Sequence, residues 1–172
     1  LDVSTGTGKV ELDAETVKEI SALVTNDSDK VALKIEGTTA PTEAPAEVGA
    51  AAKYVEVNLT VNGESVATKD SQLTGSVKVS VKMDLTINSA TQKLVLWFID
   101  GLTATEVEGA AYANGMVSWT TKHFSTYAAE VVEKTVDKDE YYELEVVQAA
   151  GATIEASCEG ETDANGYYKA GS

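Results

Sequence analysis

The sequence predicts a mainly β protein: an antiparallel β-sandwich with one short N-terminal amphipathic helix, followed by a partial second β-module. Three observations carry this reading. Apolar and polar residues alternate in run after run, as in KVALKIE, YVEVNLTV and SVKVSVKM, the period of a strand with one buried face. Asn62-Gly63 and Asn114-Gly115 punctuate such runs, and Asn-Gly supplies the positive φ values of a two-residue hairpin turn. Only one early stretch, DAETVKEISALV, changes to helical spacing. With 172 residues and 43% hydrophobic residues, the chain is long enough to bury a sizeable core.

In chain order, LDVSTGTGKVEL places two short alternating runs around Thr5-Gly6-Thr7-Gly8, a hairpin. Asp13 follows as a helix cap for the amide of Thr16 or Val17. Val17, Ile20, Leu23 and Val24 form the expected apolar stripe, ending at the polar break TNDSD. KVALKIE reads as a half-buried strand with Val31, Leu33 and Ile35 inward. Residues 37–52 hold both prolines among small residues, a loop or a loosely helical excursion. Val55, Val57, Leu59 and Val61 alternate into the Asn62-Gly63 turn, and Val77, Val79, Val81 and Met83 repeat the pattern. QKLVLWFID is nearly all apolar, as expected of a central strand covered on both faces. The following strand, TATEVEG, leads to the Asn114-Gly115 turn and then to SWTTKHFSTYAA, read as one closing strand. After Ala129 the sequence turns charged and linker-like. These boundaries give a sandwich over residues 1–130, then a linker and partial β-repeat over 131–172. Because the chain opens in mid-pattern, it reads as a mature product or an excised segment.

The chain carries 28 acidic against 13 basic residues, every base is Lys, and the formal charge is −15. Such a surface repels polyanions and lacks the guanidinium fork that grips phosphate, which sets aside nucleic acid as a partner. No apolar run approaches the ~20 residues needed to cross a bilayer, so no membrane partner is expected. The single cysteine, Cys158, permits no intrachain disulfide and reads as a small buried hydrophobe. With one histidine and one cysteine, the chain lacks the ligands of a structural zinc site. Glu161, Asp163 and Asn165 in ETDANG have the spacing of a calcium loop without its closing glutamate, and an Asx-type turn is the simpler reading. No metal and no cofactor are expected.

Trp119, Thr120, Thr121, His123, Phe124, Ser125, Tyr127 and Ala128 stand in the pattern aromatic-Thr-Thr-x-His-Phe-Ser-x-Tyr-Ala. Together with the order of elements before it, this pattern resembles the closing strand of a β-sandwich module repeated in large cell-surface proteins of Firmicutes and related bacteria. The likeness spans roughly residues 1–130. It implies an exported, extracellular module at the cell surface or cell wall, with a non-catalytic structural or adhesion-supporting role. It also implies that a first strand lies upstream and that residues 139–172 begin the next repeat. Neighbouring modules then become partners, by strand exchange through an open sheet edge.

Two other functions are expected to compete. A surface sandwich binds a glycan or host surface protein through exposed aromatic rings, for which Tyr112 in the loop GAAYANG and Trp119 are the candidates. Trp97, in the most apolar run, reads as core. In the second reading, His123-Phe124-Ser125 resembles the cleavage motif of autoproteolytic sandwich domains. There, a histidine two residues before a hydroxyl acts as base for an N-to-O acyl shift, and water hydrolyses the ester. That likeness implies His123 as base, Ser125 as nucleophile and Phe124-Ser125 as the bond cut. As a plain strand, the same residues put His123 and Ser125 on one face and Phe124 in the core.

Overall fold

The computed structural model describes residues 2–4, 6–134, 141–142 and 168–169. It divides into two compact units, residues 1–88 with 92–132, and residues 89–91 with 133–172. Most of what was expected of 131–172, including Cys158 and the ETDANG turn, lies outside the described residues. In the second unit, Tyr141–Tyr142 pairs antiparallel with Tyr168–Lys169.

The first unit is mainly β, with one helix and two antiparallel sheets. Its elements are β1 (Asp2–Ser4), β2 (Gly8–Leu12), α1 (Ala14–Leu23), β3 (Val31–Thr38), β4 (Lys53–Val61), β5 (Glu64–Val66), β6 (Val77–Lys82), β7 (Gln92–Asp100), β8 (Thr103–Glu106), β9 (Ala111–Ala113), β10 (Met116–Thr121) and β11 (Thr126–Glu133), whose last residue falls in the second unit. One sheet has the order β1-β2-β6-β10-β9, the other β3-β4-β11-β7-β8, with β5 added to β4. The expected hairpin pairs β1 with β2. Asn62 and Gly63 take φ values of 55° and 85°, Asn114 and Gly115 values of 53° and 76°, the left-handed backbone on which tight hairpin turns depend.

Alternation becomes a shared core. Val10, Val77, Val79, Val81, Val117 and Trp119 from the first sheet pack with Ile35, Val55, Val57, Leu59, Leu96, Tyr127 and Ala129 from the second. β7 is covered on both faces, because Leu94, Leu96 and Phe98 meet this core while Trp97 and Ile99 join a second cluster behind the sheet. There Val48 and Ala52, from the proline-bearing segment after β3, cover Tyr54, Ile99 and Ala128. β11 runs on to Glu133, so the linker expected after Ala129 begins as a strand.

The helix is held at its N-terminus. Asp13 Oδ1 accepts from the Thr16 amide at 2.7 Å, and Oδ2 accepts from the Ser76 amide at 2.8 Å. A Cβ on Gly75 would lie 2.5 Å from both Asp13 Oδ1 and Thr16 Oγ1, so the helix start rests directly on the backbone ahead of β6. That anchorage turns Thr16 and Ile20 into the core and sends the last turn outward. Leu23 and Val24, expected on the buried stripe, are 49% and 37% exposed.

At the edge of the second sheet, the outward groups of β3 can be assigned from its register. The Asn62 amide bonds the Lys30 carbonyl, and the Val57 amide points away to Ser125 O. By antiparallel alternation, Val31, Leu33, Ile35 and Gly37 direct their amides and carbonyls away from β4. Thr7 Oγ1 donates to the Ile35 carbonyl at 2.7 Å, bringing the β1–β2 turn against the middle of this edge.

The backbone amides of Thr16 and Ser76 hold the Asp13 carboxyl down at about 2. Its ordinary value is about 3.9, so its stabilising effect is complete above that pH and is lost as pH falls through about 2. Urea unfolding from pH 5 to pH 2 should therefore show a smaller loss of stability in Asp13→Asn than in the wild type.

Candidate functional site

The stretch read as one closing strand is two strands in different sheets. β10 ends at Thr121 in the first sheet and β11 begins at Thr126 in the second. Lys122–Ser125 form the crossover between them, so the strand alternation expected of His123, Phe124 and Ser125 does not apply. Alternation reports a pleat, but it cannot report that the chain changes sheets in mid-pattern.

The crossover is held on all sides. The Phe124 amide donates to the Ala67 carbonyl at 2.7 Å, and the Ser125 carbonyl accepts from the Val57 amide at 2.9 Å. Thr121 Oγ1 donates to the His123 carbonyl at 2.9 Å, and the Tyr127 hydroxyl reaches that carbonyl at 3.0 Å and Thr121 Oγ1 at 3.1 Å. The Tyr127 phenol is protonated at neutral pH, and burial pushes its pKa further up. Ala67 holds a left-handed φ of 55° and is buried. That conformation is costly for a residue with a Cβ, and here it presents the carbonyl that fixes Phe124.

His123 is half-buried. Its ring meets Phe98 edge-on, with centroids 4.6 Å apart, and lies nearly parallel to Tyr127 at 6.4 Å. Nδ1 is buried with no hydrogen-bond partner, and burial pushes the imidazole pKa down. Among the described residues no hydrogen bond joins this imidazole to the Ser125 hydroxyl. The two residues named as base and nucleophile thus share the crossover, with the ring turned towards Phe98 and Tyr127.

Trp119 is only 2% exposed and packs on Tyr127 with centroids 4.8 Å apart. Its ring presents no surface to a ligand, which corrects the expectation of a platform there: position 119 lies on the core face of a central strand. Tyr112 is half-buried, packed against the core. Its hydroxyl donates to the Leu85 carbonyl at 2.8 Å and lies 3.3 Å from the Met83 carbonyl. It ties β9 to the segment after β6 rather than standing free in a loop.

Behind the second sheet sits a polar contact that the sequence concealed. Glu130 is 8% exposed. One carboxylate oxygen accepts from Trp97 Nε1 at 2.6 Å, the other from the Gly49 amide at 2.8 Å. A Cβ on Gly49 would fall on Glu130 Oε2, so glycine is what lets the covering segment approach. Charge around Glu130 made it look like linker, and only the fold supplies its partners.

No family model, characterised protein or solved structure matches this chain. Function must therefore be argued from the residues themselves. The described residues form open grooves, of which two are well defined. One of about 410 Å³ runs between α1 and residues 65–73, with Leu23, Val66 and Leu73 in its lining. The other, about 470 Å³, is lined by Thr38, Thr39, Pro41, Thr42, Ile99 and Thr126 among others, none of them charged. Among the described residues no cluster of three or more His, Cys, Asp or Glu is placed to hold a metal, and no helix is long and apolar enough to cross a membrane.

Removing the Tyr127 hydroxyl takes two partners from the crossover knot. Tyr127→Phe should lower unfolding free energy by about 1–2 kcal/mol, read as a lower urea midpoint with an unchanged slope.

Proposed function

We propose that the chain is a non-catalytic structural module, a spacer or adhesion-supporting unit of an exported, multi-domain bacterial cell-surface protein. The observation that carries this reading is the use made of the closing motif. Trp119, Thr121, the His123 backbone, Phe124 and Tyr127 are all engaged in joining one sheet to the other. The backbone carbonyls of His123 and Ser125 are thus taken up in the crossing, which supports a mechanical role for the motif. The strongly acidic, arginine-free composition suits a soluble, mutually repelling surface, and the resemblance of the motif to bacterial surface modules supplies the setting.

A glycan-binding role is the second reading. It is favoured by the uncharged, hydroxyl-bearing groove of Thr38, Thr39, Thr42 and Thr126, whose side chains offer donors and acceptors to a neutral polyol. Its location differs from the aromatic platforms expected at Tyr112 and Trp119.

Two measurements test the main reading. Brief trypsin treatment of intact source cells should release peptides ending at this chain's lysines; peptides found only after lysis would contradict a surface location. Denatured intact mass, with and without hydroxylamine, should give one 18.1 kDa species. Fragments meeting at Phe124 and Ser125, and abolished by Ser125→Ala, would instead establish self-cleavage.

A further inference from the structure

We propose that His123 is an acid-sensitive latch on the β10–β11 crossover, closed while the imidazole is neutral and released when it is protonated. The inference rests on the walls around the ring and is independent of where the protein resides. Phe98 of β7 and Tyr127 of β11 flank the imidazole, and Thr121 of β10 binds the residue's own amide and carbonyl. Among the described residues, Tyr127 is the titratable side chain that these elements place against the ring; its phenol is neutral and its hydroxyl is occupied by Thr121 and the His123 carbonyl. The adjoining Lys122 is exposed. Among the described residues no carboxylate contributes to the displacement of the imidazole's pKa, which burial pushes down.

Neutral imidazole needs only one N–H, and imidazolium has two. With Nδ1 buried and unpartnered, the charged ring must hold an N–H where no acceptor stands, or leave its place. The residue is only half-buried, so protons can reach it. Departure of the ring would strip Phe98 of its edge contact and pull on the carbonyl that Tyr127 and Thr121 both grip. The latch and the knot between sheets share one residue.

Folding lowers the proton affinity of this group, so the unfolded or opened chain binds more protons between the two pKa values. Stability is full above about 6.5 and declines as pH falls from there through the folded value. Below it, each unit of depression corresponds to a tenfold greater opening. The chain has a single histidine, which makes the signal easy to isolate.

The test is an NMR titration of the full chain carrying ¹³C-labelled histidine, from pH 8 to 4.5, with amide exchange of Phe124 measured against Val79 in β6. The expected result is a midpoint below 6.5 and loss of Phe124 protection relative to Val79 as the ring titrates. In His123→Gln the pH-dependent loss should vanish, and in His123→Phe, which keeps a ring against Phe98, protection should persist at acid pH. A wild-type midpoint at or above 6.5, or Phe124 protection that does not follow the titration, would overturn the latch. Both readouts come from the wild type and stand even if a variant fails to fold.

Discussion

Lys122–Ser125 carry the chain from one sheet to the other, and the arrangement of the larger unit depends on how tightly that passage is tied. A sandwich needs its two sheets at a fixed spacing and angle so that their inner side chains interdigitate. Here the tie is local: Tyr127 reaches back to the His123 carbonyl and Thr121, so the first turn of chain in the second sheet is bonded to the last residue in the first. Phe124 enters the core in between, fixed by the Ala67 carbonyl. Trp119 and Tyr127, from opposite sheets, then pack ring on ring. Hydrogen-bond geometry and apolar burial thus select the same crossing.

The second sheet has a further demand, since β7 and β11 are buried on both faces. Segment 39–52 meets it by lying across the back of the sheet, with Val48 and Ala52 against Tyr54, Ile99 and Ala128. Glu130 fastens the cover through Gly49 while its other oxygen satisfies Trp97. A buried carboxylate is costly unless its lone pairs are occupied, and here one side chain serves both the sheet and its cover.

Much of the fold was legible because it is written in short-range periodicity. The valines of β4 and β6, the two Asn-Gly turns and the Asp13 cap each follow from neighbours a few residues apart. What was hidden depends on partners far along the chain. SWTTKHFSTYAA reads as one β-prone run although it belongs to two sheets, and no glycine or proline marks Lys122–Ser125 as the place of exchange. Leu23 and Val24 continue the helical stripe of Ile20, but contact of Asp13 and Thr16 with Gly75 and Ser76 decides the tilt, and the stripe runs past the core. Trp119 and Tyr112 are aromatic in any reading. Only the register of β10 and the reach of the Tyr112 hydroxyl to Leu85 reveal that one is sealed inside and the other is a tether. His123 and Ser125 were recognisable as a pair, and the orientation of the ring was not.

The Thr7 hydroxyl on the Ile35 carbonyl has a consequence for growth of the sheet. A β-sheet extends by templating, each new strand zipping along the bare rim of the last. On β3 such a zipper entering at Val31 and Leu33 meets a side chain seated across the rim at Ile35 before it can engage the strand's full length. Pairing along the full length of this one edge is thus interrupted at its middle, by the turn of a hairpin that belongs to the opposite sheet.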